Sequence, residues 1–248
     1  MARQDADYLI TFPSNLEALL QHCAQADIRF PRLREVETLS ERLPPDLRER
    51  CRDQWNIRLV DMYTTQETGY MALQCPEHEH YHVQSEHVIL EILGDSGLPC
   101  APGEIGRVVV TDLHNFASPL IRYDIGDYAE AGALYDCGRG LPVIKQIMGR
   151  QRNQITLPDG SKRWAMFPAN EWGHIAPIHQ LQLIQRAPNH IEAVAAMQRP
   201  MSAVEEQEFI AAMQRVLNFP HRVEITIVDE IPRSASGKFK NFVSLIKN

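Results

Sequence analysis

Tyr63-Thr64-Thr65-Gln66-Glu67-Thr68-Gly69 places an aromatic ring, an amide and a carboxylate directly after an apolar run. A carboxylate at such a strand end can hold Mg2+, and a tyrosine there can stack on a base. A polar turn with a helix-capping threonine is the plain alternative. Ile121-Arg122-Tyr123-Asp124-Ile125-Gly126-Asp127 puts an acid after a glycine turn. There it can accept both hydroxyls of a ribose, or simply bond its own backbone. Gly149-Arg150-Gln151-Arg152 offers two cations beside a glycine, or is a solvated linker. Pro232-Arg233-Ser234-Ala235-Ser236-Gly237-Lys238 delivers a lysine on a small-residue loop, a tool for stabilising charge on a transferring phosphoryl or adenylyl group. Standing alone it reads as a mobile surface loop. It is not a Walker loop, because G-x-x-x-x-G-K-[ST] is absent. No G-x-S-x-G nucleophile elbow occurs either, which argues against an α/β hydrolase.

These segments need elements to hold them. Ser14-Asn15-Leu16-Glu17 reads as a capping box, followed by Leu16, Leu19, Leu20 and Cys23 at helical spacing. Val36 to Leu39 is a strand, Pro44-Pro45-Asp46 opens a helix through about Trp55, and Ile57 to Met62 returns as a strand. Alternation of this kind predicts an α/β layer over 1–75. From about His82 the pattern changes to strand-like runs, Val88–Leu93, Arg107–Thr111 and Leu120–Tyr123, split by Gly/Pro/Asp turns. A β subdomain over 76–148 follows. Beyond it, Gln154–Leu157 and Lys162–Met166 flank the hairpin signal Pro158-Asp159-Gly160. Ser202 starts a helix with Val204, Phe209, Ala212, Met213 and Val216 on one side, and Val223–Val228 is a strand. A small α+β domain over 149–248 completes the organisation.

Bulk properties narrow the function classes. A formal net charge of −7 argues against a nucleic-acid partner, although backbone amides and one or two cations can still hold a nucleotide on an acidic protein. No apolar run approaches the roughly 20 residues of a membrane span, and Met1 to Asp7 lacks a signal-peptide core. A cytoplasmic protein with no membrane partner is the default expectation. The five cysteines lack a framework spacing, so reduced thiols are expected. Nothing in the sequence speaks to the oligomeric state.

In order and spacing the four segments resemble the ANL superfamily of adenylate-forming enzymes, along essentially the whole chain. The phenylacetate–CoA ligase-like branch is the nearest in appearance, and Pro232–Lys238 is the most specific piece. The resemblance implies α/β plus α+β architecture: the end of the large ANL domain with its β subdomain (1–148), then a small mobile carboxyl-terminal domain (149–248). It also implies activation of a carboxylic acid by ATP to an acyl-adenylate, then transfer to a thiol such as coenzyme A. By the same resemblance Glu67 holds the Mg2+ of ATP, Tyr63 lies against adenine and Asp127 binds the ribose hydroxyls. Arg150 contacts the ribose–phosphate region, Arg152 falls at the hinge, and Lys238 reaches the acid carboxylate and the α-phosphate. Ser40 and Glu41 fall near a segment that lines the adenine and acid pocket in relatives.

The sequence also departs from that pattern. Gln66 stands where the family places a hydroxyl against phosphate, and Tyr123-Asp124-Ile125-Gly126-Asp127 replaces Tyr-Arg-Thr-Gly-Asp. The Ser/Thr/Gly-rich loop that wraps the β- and γ-phosphates in the family is nowhere in the sequence. The expectation is therefore a partial enzyme, either a fragment or a shortened homologue, that supports no ATP–pyrophosphate exchange by itself. The alternative is a degenerate nucleotide- or adenylate-binding module without turnover. Members of the branch can carry a zinc-like Cys/His site, and Cys75, His80, His82 and Cys137 could supply four ligands, with His78 nearby and Tyr135 where a second cysteine often stands. From the sequence, solvated histidines and two ordinary thiols are the expectation.

Overall fold

The computed structural model describes residues 6–134, 136–164, 172–234 and 239–246, with the backbone alone at 152. Lys238 and Tyr135 lie outside the described residues, as do Ala165 and Met166 of the predicted hairpin. The chain divides into two compact units, one of residues 1–12, 30–42 and 57–151, the other of residues 13–29, 43–56 and 152–248.

The first unit is built on one nine-stranded sheet. Its strands in chain order are β1 (Tyr8–Thr11), β2 (Glu35–Leu39), β3 (Arg58–Thr65), β4 (Gly69–Gln74), β5 (Tyr81–Val83), β6 (Val88–Leu93), β7 (Ile105–Asp112), β8 (Tyr123–Ala131) and β9 (Val143–Arg150). Their spatial order is β1-β2-β3-β4-β5-β9-β8-β7-β6. β1, β2 and β3 run parallel, and every later pairing is antiparallel. The expected α/β layer and β subdomain are thus one continuous ladder, because β3 runs on through Tyr63-Thr64-Thr65 to pair with β4. Val83, Val88, Val108, Val110, Ala129 and Ile144 fill its core, in the β-branched composition that suits a pleated surface.

One expected strand moves. Residues Leu120–Arg122 are not extended, and β8 begins at Tyr123. Gly126 and Asp127, read from sequence as a turn, lie inside that strand. Between the pairs Arg107–Tyr128 and Val109–Asp124, the residues Ile125, Gly126 and Asp127 stand opposite Val108 alone. Gly126 takes φ +75°, so the glycine makes a bulge that re-aims its neighbours while the ladders to β7 and β9 hold the strand.

The second unit carries α1 (Pro13–Ala26), α2 (Leu47–Trp55) and α3 (Ala203–Leu217). α1 starts on Pro13, whose fixed φ suits the first helical position. Ser14 therefore sits within the first turn, and its Oγ accepts from Arg233 Nη1 at 3.1 Å. α3 is capped as expected: Ser202 and Glu205 form a reciprocal capping box, and Asn218 closes the helix in a left-handed conformation. Phe209, Ala212, Met213 and Leu217 are buried, whereas Val204 in the first turn is exposed, off the apolar stripe.

These side chains pack on a second sheet of order β14-β13-β12-β15, from β12 (Ile178–Ala187), β13 (His190–Met197), β14 (Arg222–Val228) and β15 (Phe242–Ser244). The hairpin β10 (Gln154–Thr156) and β11 (Lys162–Trp164) pairs antiparallel across Pro158-Asp159-Gly160. A fully buried amide joins it to β12. Gln185 Oε1 accepts from Thr156 N at 3.0 Å, while Gln185 Nε2 donates to Thr156 O at 2.7 Å, so the side chain mimics a strand neighbour. Gln185→Leu leaves both backbone groups of half-buried Thr156 without that partner. It is expected to cost about 2 kcal/mol or more, read from urea unfolding; a loss within experimental error would refute the account.

Candidate functional site

The carboxyl ends of adjacent parallel strands are where open α/β sheets place their ligands, and two of the predicted segments lie there. Leu39 pairs with Met62, three residues before β3 ends at Thr65, so Ser40-Glu41 leaves β2 level with Tyr63. Ser40 adopts φ +67°, and Glu41 N donates to Leu39 O at 2.9 Å. This sharp exit is held by a non-glycine residue in the left-handed region, a strained geometry that concentrates at functional sites. At the end of β3, Gln66 and Glu67 are exposed on a three-residue turn, and buried Thr68 anchors it. Thr65 Oγ1 and Thr68 Oγ1 lie 2.9 Å apart, and Thr68 N donates to Thr65 Oγ1 at 3.2 Å.

Asp127 brings the remaining residues together. Tyr63 Oη donates to its Oδ2 at 3.0 Å, and Arg150 Nε stands 3.1 Å from its Oδ1. Arg150 faces Asp127 across the β8–β9 ladder, whereas Tyr63 comes from β3, with three strands intervening in the sheet order. The sheet must curl to close that distance. Burial pushes the Asp127 carboxyl above its ordinary range, with the Glu67 charge adding to the effect. Tyr63 and Arg150 pull in the opposite sense. The Tyr63 hydroxyl is itself driven well above its usual range by burial and then by the Asp127 charge. Since Tyr63 is only 6% exposed, its evident task is to hold the acid.

Behind the site, Asp61 is buried and accepts from Thr38 Oγ1 at 2.7 Å and from Tyr81 Oη at 2.6 Å. This polar tie across β2, β3 and β5 had no signature in the sequence, since each residue reads as an ordinary strand position. Of the other predicted residues, Arg152 lies in the 3₁₀ turn Gln151–Asn153 at the start of the second unit's last segment. Gly149 and Arg150 belong to β9.

A second cluster forms in the first unit. Cys75 follows β4, His80 and His82 flank Tyr81 at β5, and Cys137 arrives from the segment before β9. The ligand atoms of all four lie within 4.8 Å of one another. His80 Nε2 is 3.3 Å from His82 Nε2, which is 3.3 Å from Cys137 Sγ. A tetrahedral zinc with Zn–N near 2.05 Å would separate two nitrogens by ~3.3 Å and a nitrogen from a sulfur by ~3.6 Å. The donor types and these two separations suit that ion. His80 and His82 are not solvated as preferred from sequence: they are 5% and 3% exposed, because the β4–β5 turn folds Cys75 N onto His80 O at 2.8 Å. Burial and nearby positive groups pull both imidazoles below their ordinary range. His78 stacks on His80 outside the ligand group.

The Tyr63–Asp127 bond is testable by titration. An acid whose folded pKa is raised binds its proton more tightly when folded, so stability falls as pH rises from the ordinary carboxylate value through the raised one. Tyr63→Phe removes a donor that favours the ionised form. The Asp127 carboxyl resonance is expected to titrate at higher pH in the variant, and an unchanged or lower midpoint would break the assignment.

The chain is similar over nearly its full length to solved acid–CoA ligases. With 2-hydroxyisobutyryl-CoA ligase in the postadenylation state, bound to an acyl-AMP, it shares 17% identity at a TM-score of 0.77, covering 98% of this chain and 55% of that one. With the anthranilate CoA ligase AuaEII in complex with anthranoyl-AMP it shares 17% identity at a TM-score of 0.70, over 96% and 49%. With o-succinylbenzoate CoA synthetase (MenE) from Bacillus subtilis, bound to its acyl-adenylate, the values are 17% and 0.68, over 95% and 50%. MenE has also been solved with ATP and magnesium, and the 2-hydroxyisobutyryl enzyme with CoA. The chain spans about half the length of these structures. No curated protein matches it in sequence. Residues 168–245 match the CapK C-terminal domain family, and the chain as a whole has the fold of about half of each of these acyl-CoA ligases.

Proposed function

We propose that the chain acts in the AMP-forming activation of a carboxylic acid, in which ATP yields an acyl-adenylate that is passed on to coenzyme A. The observation that carries the reading is the Asp127 clamp. A carboxylate offers about four lone-pair directions. Tyr63 and Arg150 take one on each oxygen, leaving capacity for the two hydroxyls of a ribose. In the same fold, the similar ligases hold acyl-adenylates.

Around that anchor the remaining roles follow. Arg150 is half-exposed and can extend to the α-phosphate side, Tyr63 borders the base, and Ser40-Glu41 lines the edge nearer the acid. Glu67 is the carboxylate for the magnesium of ATP, which when bound neutralises phosphate charge. Gln66 presents an amide toward the same phosphates. Lys238, outside the described residues, would supply positive charge as the adenylate forms, and Arg152 the hinge for the small domain. A second reading has one observation in its favour: Gln66 stands where a hydroxyl is expected, which suits a module that binds adenylate without turnover.

Titration calorimetry with AMP tests the anchor. Asp127→Asn replaces a charged acceptor of two hydroxyls and is expected to weaken AMP binding by about 10-fold or more. ATP–pyrophosphate exchange with a panel of carboxylic acids, measured with a segment carrying the Ser/Thr/Gly-rich loop supplied, then separates the readings, exchange supporting activation and binding without exchange supporting the module. Absence of both would end both.

We further propose zinc at Cys75, His80, His82 and Cys137. Four soft or imidazole ligands with no place left for water describe a structural centre. Purified protein should carry about one zinc per chain by elemental analysis, and Cys137→Ser should lose most of it; a zinc-free preparation from metal-replete medium would remove the proposal.

A further inference from the structure

The turn that carries Gln66 and Glu67 has a brace from outside its own hairpin. His87 lies just before β6, and its Nε2 is 2.6 Å from the Thr68 carbonyl oxygen. A carbonyl only accepts, so Nε2 carries the hydrogen and donates in either protonation state of the ring. Thr68 is 3% exposed, which makes this a fixed point one residue from exposed Glu67. Gly69, the next residue, takes φ +70°, and a Cβ there would meet His87 Nε2 at 3.8 Å.

His87 is itself held from several directions. Its backbone N donates to Gln84 O at 2.8 Å, its carbonyl accepts from Leu113 N at 3.1 Å, and Gln84 N is bound to Met71 O of β4. The His114 ring stacks on it with centroids 5.5 Å apart and planes 15° from parallel. His114 Nε2 donates to Glu86 O at 2.8 Å. Asp112 Oδ1 fixes that second imidazole by accepting from the backbone of His114 and Asn115. The brace thus runs from the β7–β8 connection through His114 and His87 to the β3–β4 turn, all within the first unit.

We propose that His87 is a positioning residue for Glu67: its Nε2–H···O=C bond to Thr68 fixes the turn so that the carboxylate is presented to the metal of a metal–nucleoside triphosphate. The proposal rests on the activation reading for the identity of that ligand. Gln Nε2 can take the place of His Nε2, whereas Phe keeps the bulk and removes the donor. In His87→Phe, hydrogen exchange of the amides in 66–69 is expected to quicken about fivefold or more, with the rest of β3 and β4 unchanged. The gain in ATP affinity conferred by Mg2+ should fall by a similar factor, AMP affinity should hold, and His87→Gln should restore both quantities. Unchanged exchange in His87→Phe, exchange quickened throughout β3 and β4, or failure of His87→Gln to restore it would overturn the brace. A faster turn with an undiminished Mg2+ gain would overturn its link to Glu67. If the unaltered protein gains nothing from Mg2+, the nucleotide reading of Glu67 fails instead, and the exchange measurements alone judge His87.

Discussion

A carboxylate removed from water must find opposite charge or donors in its new surroundings, or it gives up its charge. Asp127 meets that demand from two directions, with Arg150 from the adjacent strand and Tyr63 from a strand that is not its neighbour. Much of the first unit's shape serves that arrangement. The sheet must curl for β3 to face β8, and β8 must break its pleat at Gly126 to turn Asp127 toward the tyrosine. The parallel strands β2 and β3 then deliver Ser40-Glu41 and Gln66-Glu67 to the same edge. Remove the acid, and neither the bulge nor the long reach of Tyr63 has an electrostatic reason.

The elements that sequence made visible are those whose signals are local. Ser202 and Glu205 mark a helix start by themselves, Pro158-Asp159-Gly160 marks a hairpin by itself, and Val223–Val228 is extended by its own side chains. The long β12–β13 hairpin was not seen, because Gln180, Gln182 and Gln185 interrupt its apolar pattern. One of those glutamines is polar so that it can pair with a backbone. Gly126 misled for the same reason in reverse: a glycine in isolation signals a turn, but ladders on both sides override it.

The site divides along the same line. As candidates, Tyr63, Glu67, Asp127 and Arg150 could be named by type and order, because a resemblance supplies order. That Tyr63 spends its hydroxyl on Asp127, or that His87 supports the turn beside Glu67, belongs to tertiary geometry and leaves no mark in a linear pattern. The Cys/His cluster shows both sides of this. Its residue types were evident, but whether Cys137 reaches His82 depends on how β5 and β9 pair, and that pairing converts apparently solvated imidazoles into buried donors.

The span between Tyr63 and Asp127 is 64 residues, and it bears on the order in which the molecule assembles. Contacts so distant along the chain pay their loop-closure entropy before they return any stabilisation, and such topologies fold slowly. β8 reaches its place opposite β3 only through β9, which must first dock on β5. The Asp127 clamp is therefore expected to be among the last features to form as the nascent chain folds. Partly folded forms would hold their strands without the clamp, so that under the proposed function recognition of a nucleotide would double as a report that the sheet is complete.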